Sequence, residues 1–145
     1  MIITVICVGK LKEKYWTDGC AEYIKRLGRY CTLQIDELKE SDPAAEGAAI
    51  LKRLKTDDYV IALDMAGGMA DSESFAEKID TLKASGKRIV FMIGGSDGLS
   101  NPVKERADCR LSFSKMTYPH QMMRVILLEQ LYRCFKIINN EKYHK

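Results

Sequence analysis

This sequence predicts a single α/β domain over residues 1–145, built as a mostly parallel sheet with helices on both faces. Three observations predict it. Apolar runs of strand length alternate with segments whose apolar residues recur at helical spacing, in about five βα units. Residues 3–8 and 88–93 are apolar almost throughout, as strands covered on both faces must be. No internal repeat and no linker-like stretch interrupts the alternation.

The first strand is ITVICV, residues 3–8. Trp16, Cys20, Tyr23, Ile24 and Leu27 then share one helical face, and Gly28 is placed to stop that helix. TLQIDEL, residues 32–38, alternates like a strand. Asp42 followed by Pro43 reads as an N-cap and first helical residue, and Ala45, Ala48, Ala49, Leu51 and Leu54 continue that helix. YVIALD, residues 59–64, is the third strand, after which Ala66-Gly67-Gly68 is expected to turn the chain. Phe75, Ile79 and Leu82 mark a helix ending near Gly86. RIVFMI, residues 88–93, is the fourth strand and leads into GGSDGLS. Asn101 and Pro102 are expected as cap and first residue of a short helix through Ala107. RLSFS, residues 110–114, is a fifth short strand. Pro119 opens a long last helix with Met123, Leu127, Leu128, Leu131, Cys134, Phe135 and Ile138 along its apolar side, and NNEKYHK remains as a polar tail.

With 46% hydrophobic and 30% charged residues the chain reads as globular rather than disordered. No apolar run approaches the roughly 20 residues that span a bilayer, so no membrane partner is expected. The N-terminus begins apolar with no basic region before it, a poor signal peptide and a good buried strand. Five scattered cysteines without a CxxC pair argue against a disulfide framework and against structural zinc. No metal is expected, and a reducing, cytoplasmic setting is. The net charge of +3 permits an acidic partner such as RNA without demanding one.

In an open α/β sheet, ligands sit outside the carboxyl ends of the strands. Residues 65–71, 94–100 and 115–119 fall there. IGGSDG, residues 93–98, places three glycines directly after a strand, which serves either a tight turn or the close approach of a ligand. It is neither GxGxxG nor a Walker A loop, which disfavours a nucleoside triphosphate. His120 and Arg124 are four residues apart at the start of the last helix, on one face, where free N–H groups favour an anion. The alternative is a solvated helix edge. Met116, Met122 and Met123 fit packing better than ligation. Ser96 and Ser114 lack a nucleophile motif. Lys10, Lys12 and Lys14, then Lys25, Arg26 and Arg29, flank the first helix and could grip phosphates, with Tyr15, Trp16 and Tyr30 near to stack on bases. A solvated face over a core Trp16 is the plainer reading. Tyr143 and His144 belong either to a frayed end or to a tail that docks into a neighbouring subunit.

Taken together, VGKLKEKYW, FMIGGSDGLS, LSFSKMTYPHQMMRVILLEQLYRCFKI and the terminal YHK resemble one family over nearly the whole chain. It is the bacterial ribosomal large-subunit RNA methyltransferase acting on N3 of a pseudouridine, a small member of the SPOUT superfamily. The resemblance implies a C-terminal trefoil knot, against the general rule that chains do not thread loops. It also implies a homodimer, S-adenosylmethionine (S-adenosyl-L-methionine) as cofactor and methyl donor, and an assembled ribosome with its 23S rRNA as partner. By motif match, Leu63, Gly94, Phe113, Ser114, Lys115, Met116, Thr117 and Tyr118 are expected to bind the cofactor. His120, or Tyr143 or His144 from the partner's tail, is expected to remove the N3 proton, with Arg124 stabilising charge on the base or holding a phosphate. Two other readings stay open: a non-catalytic ribosome- or RNA-binding module on the same fold, and a nucleotide-binding α/β domain acting on a small molecule.

Overall fold

The computed structural model describes all residues, 1–145. Five strands, β1 (Ile2–Val8), β2 (Thr32–Leu38), β3 (Tyr59–Met69), β4 (Ile89–Ile93) and β5 (Cys109–Ser112), form one sheet in the order β2-β1-β4-β3-β5. Every neighbouring pair is parallel. The helices are α1 (Lys14–Leu27), α2 (Pro43–Arg53), α3 (Ser72–Ser85), α4 (Asn101–Arg106) and α5 (His120–Ile138).

Strand periodicity sorts the apolar residues into two cores. Ile3, Val5 and Cys7 of β1 and Ile89, Phe91 and Ile93 of β4 point to one face, where α1, α3 and α5 cover them. Ile6 and Val8 of β1 and Val90 and Met92 of β4 point to the other, beneath α2 and α4. This is why the central strands read as continuous apolar runs. Cys7, Cys20 and Cys134 lie in the larger core, and burial pushes the Cys7 and Cys134 thiols up to about 12.

Local chemistry sets the helix ends. Asp42 caps α2 by accepting from the Ala45 N–H at 3.0 Å, with Pro43 in the first turn. Asp71 caps α3 by accepting from Ser74 N–H at 2.8 Å, and Gly86 closes it in the left-handed conformation at φ +71°. The N-cap of α4 is Ser100, one position before the expected Asn101. The Ser100 side chain makes no capping hydrogen bond and instead packs where Gly47 of α2 has no side chain.

β3 also differs from expectation. The chain does not leave the sheet at Ala66-Gly67-Gly68. Leu63 and Gly68 both pair with Leu111 of β5, so residues 64–67 swing out and the strand resumes to Met69. β5 is shorter than expected, and Phe113 and Ser114 follow it outside the sheet.

An ion pair pins the far end of the sheet. The Asp58 carboxylate, whose side chain is 3% exposed, accepts from Arg88 Nε at 2.8 Å, Arg88 Nη2 at 2.6 Å and the Lys55 N–H at 2.6 Å. Burial alone would raise its pKa, but Arg88 and the Lys55 amide more than offset this and hold it below the usual carboxylate value. A depressed folded-state pKa stabilises the fold above the unfolded value of about 4, and that stability is lost as pH falls through the folded value. Asp58→Ala is expected to cost about 3 kcal/mol near neutral pH, because the largely buried Arg88 loses its partner. Urea unfolding at about pH 7 and about pH 3 checks this, the difference between wild type and variant shrinking at the lower pH.

Candidate functional site

A cleft of about 620 Å³ opens at the carboxyl ends of β3, β4 and β5. Its size suits a small organic ligand. β3 brings Leu63, Asp64 and Met65 to one wall, and the turn after β4 supplies Gly94 and Gly95. The segment between β5 and α5 forms the remaining wall and rim.

The glycine turn is tight for a specific reason. Gly95 O accepts from Gly98 N–H at 3.0 Å, and Gly98 adopts φ +76°. A Cβ on Gly94 would lie 2.5 Å from the Gly98 carbonyl carbon, so the two backbones touch where only glycine fits. On its other side the turn rests on α2: a Cβ on Gly95 would lie 3.3 Å from Val8 and about 3.4 Å from the Glu46 carboxylate.

Hydroxyl hydrogen bonds organise the wall after β5. Ser112 Oγ donates to Ser114 O at 2.8 Å, and Ser114 Oγ accepts from Met116 N–H at 2.9 Å. Thr117 Oγ1 sits 3.3 Å from Met65 Sδ, which ties this wall to the residues that swing out of β3. The Phe113 ring meets Phe75 edge-on, with centroids 6.1 Å apart. Met116 is 74% exposed and Met65 54%, two large flexible apolar side chains that line the cleft.

Of the residues expected at a cofactor, Leu63, Gly94, Phe113, Ser114, Met116, Thr117 and Tyr118 all line this cleft, and Lys115 does not. His120 also lines it, at the first turn of α5. Asp64 and Met65 line it without having been singled out. Their position at a strand's carboxyl end was the available signal.

Arg124 is elsewhere. It is 3% exposed, with Nη1 donating to Glu37 Oε2 at 2.5 Å and Nη2 to Gly9 O at 3.0 Å. Gln121 Oε1 accepts from Lys12 N–H at 3.0 Å. Together these bonds fasten the start of α5, and so His120, to the ends of β1 and β2. Glu37→Ala is expected to destabilise by about 3 kcal/mol, more than the similarly sized Arg124→Met. The first leaves a buried guanidinium with one carbonyl partner. The second leaves a carboxylate 38% exposed that water can reach. Urea midpoints for the two variants check the order.

The tail folds back onto its own helix rather than fraying. Tyr143 O–H donates to Glu129 Oε1 at 2.9 Å, its ring meets Tyr132 at 4.9 Å, and Arg133 lies over it at 4.6 Å. His144 Nε2 is 2.7 Å from Glu73 and its Nδ1 3.3 Å from Arg133. The aromatic and acidic side of α5 makes this local burial possible for so polar a segment. Neither residue lines the cleft in this arrangement.

Lys10, Lys12, Lys14, Lys25 and Arg29 are exposed, and Arg26 pairs with Glu22 at 2.9 Å. Tyr15 is 63% exposed and stands edge-on to a half-buried Trp16. No group of three or more His, Cys, Asp or Glu side chains is arranged to hold a metal, and no helix is long and apolar enough to cross a membrane.

Residues 1–144 match the family model described as predicted SPOUT methyltransferase. The ribosomal RNA large subunit methyltransferase H of Clostridium novyi is 55% identical over 159 aligned positions, covering all of both chains. That of Clostridium beijerinckii is 51% identical, again over both full lengths. Among solved structures, a methylase family protein of Haemophilus influenzae superposes with a TM-score of 0.62 at 17% identity, covering 99% of this chain and 70% of that one. The SpoU methyltransferase AviRb of Streptomyces viridochromogenes, solved with AdoMet, superposes at 0.51 with 12% identity, over 95% and 61% of the two chains. These two likenesses speak to the fold.

Proposed function

The chain belongs to the SPOUT methyltransferase family, and from that premise we propose that it methylates large-subunit (23S) rRNA at N3 of a pseudouridine, using S-adenosylmethionine, in the cytoplasm. The observation that carries the reading is the cleft itself: seven residues expected at the cofactor from motif resemblance converge on one cavity of suitable size.

The cleft fits the donor's chemistry. Leu63 and Met116 offer apolar cover for an adenine, the backbone of the 112–118 wall offers N–H and C=O partners, and Gly94 leaves room for a close approach. When bound, S-adenosylmethionine supplies a methyl group on a sulfonium, so the protein needs no nucleophile. What the chain must do is hold N3 in line and remove its proton, and positioning is the larger share. His120 stands at the cleft edge for the proton. Arg124 serves by holding α5, and with it His120, in place.

The 145 residues form one five-stranded sheet with its helices. We therefore assign the RNA surface to a two-fold dimer. Lys10, Lys12, Lys14, Lys25, Arg26 and Arg29 contribute charge, and a partner's Tyr143 and His144 approach the cleft once released from their own helix. A knotted C-terminal part follows from the same family reading.

Methyl transfer from labelled S-adenosylmethionine to assembled ribosomes, separated subunits and free rRNA is the test. Label in large-subunit RNA, strongest with assembled ribosomes and falling steeply with salt, is expected. No label on any substrate, despite cofactor binding, would replace this reading with that of a binding module.

A further inference from the structure

Glu46, in the first turn of α2, is the one buried carboxylate of the fold without an ion-pair partner. It is 8% exposed, and its Oε2 is buried without a hydrogen-bond partner. α2 holds it against the glycine turn, about 3.4 Å from where a Cβ on Gly95 would sit, and Gly95 itself lines the cleft. The carboxylate thus touches a residue of the cleft lining without lining the cleft itself. The charged groups that face it are all acidic: Asp97 at the tip of the turn, Glu40 after β2, and Asp42 at the N-cap of its own helix. Val8 of β1 completes the contact and is apolar. By contrast Asp64, which lines the cleft itself, has Lys104 at 3.7 Å.

A buried carboxylate with one oxygen unpaired is costly, and the cost falls if a cation lies within reach. Such an orphaned group calls for an explanation. Resting on the donor reading above, we propose that Glu46 is a specificity-determining residue whose charge makes the cleft prefer the cationic sulfonium donor over its thioether product, S-adenosylhomocysteine. The two ligands differ by one methyl group and one positive charge, so a negative charge beside the cleft lining acts on the difference between them. It helps bind fresh donor and release spent product. Burial first, then Asp97 and Glu40, push the Glu46 pKa up, partly offset by the Ser41 backbone. The preference is therefore expected to strengthen as pH rises and the carboxyl ionises.

The experiment measures the affinities of S-adenosylmethionine and S-adenosylhomocysteine by calorimetry for wild type, Glu46→Gln and Asp97→Asn across roughly pH 5 to 8. Glu46→Gln keeps the size and removes the charge. It is expected to weaken donor binding about three- to tenfold while leaving product binding unchanged, and to flatten the pH dependence of the ratio. Asp97→Asn, at an exposed position, is expected to change the ratio less. An unchanged ratio in Glu46→Gln, or an equal loss for both ligands, overturns the proposal and leaves Glu46 as packing for the turn. Should that variant fail to fold, the wild-type ratio decides: a flat pH profile overturns the proposal. Wild type that binds neither ligand overturns the donor reading itself, so the two failures are distinguishable.

Discussion

Gly94→Ala is expected to remove most of the donor affinity. The added Cβ would lie 2.5 Å from the Gly98 carbonyl carbon, 2.7 Å from its oxygen and 2.9 Å from the Leu99 nitrogen. All three are backbone atoms, so no rotamer change relieves the clash. The turn must open, and Leu99, 8% exposed in the smaller core, resists that movement. Overpacking of this kind costs about 1–3 kcal/mol of stability. The turn is also the cleft floor, so an affinity loss of about tenfold to a hundredfold is expected, because small displacements at a binding site are costly. Gly68→Ala is the control: a Cβ there meets nothing within 4 Å, and neither binding nor stability should change. Calorimetric titration with S-adenosylmethionine and urea unfolding separate the two effects. Full affinity in a folded Gly94→Ala protein would place the donor elsewhere.

Removing the proposed base is expected to have the largest kinetic effect. A positioned general base typically contributes about 10²–10⁴-fold, so His120→Ala should slow single-turnover methyl transfer by a factor in that range while donor affinity changes little. The reason is geometric, since His120 is the one histidine at the cleft. His144, bonded to Glu73 and Arg133, is held by its own tail. His144→Ala affects the rate only if a dimer partner's tail reaches the cleft, and Glu73→Ala, which frees the tail, then acts in the opposite direction. If His120→Ala and His144→Ala each retain the full rate, no histidine serves as base.

Much of this molecule follows from local rules. Strands buried on both faces must be apolar at every position, so β1 and β4 stand out in the sequence. Asp42-Pro43 and Gly86 carry their cap geometry with them. Strands alternating with helices imply parallel pairing, and parallel pairing implies a ligand at the carboxyl ends. From that step the glycine turn and the stretch before α5 become the place to look, before any resemblance is invoked. The family motifs then named the individual wall residues, Leu63 and Gly94 among them.

Other features depend on pairs far apart in the chain. The spacing of His120 and Arg124 put them on one helix face, but Arg124 is drawn to Glu37, 87 residues away, and away from the cleft. The residues that swing out of β3 exist because Leu63 and Gly68 both pair with one residue of β5, which no strand pattern in 59–69 announces. The polar tail looked free because its partners do not adjoin it in sequence: Glu129 and Tyr132 lie back along α5 and Glu73 on α3. Glu46 sits in an ordinary helical stretch, and only the docking of α2 against the turn after β4 turns it into a buried carboxylate with an unpaired oxygen beside the cleft lining. Short-range hydrogen bonds and burial periodicity are written in adjacent residues. Long-range electrostatics depend on which elements the folded sheet brings together, and that was decided by the tertiary structure alone.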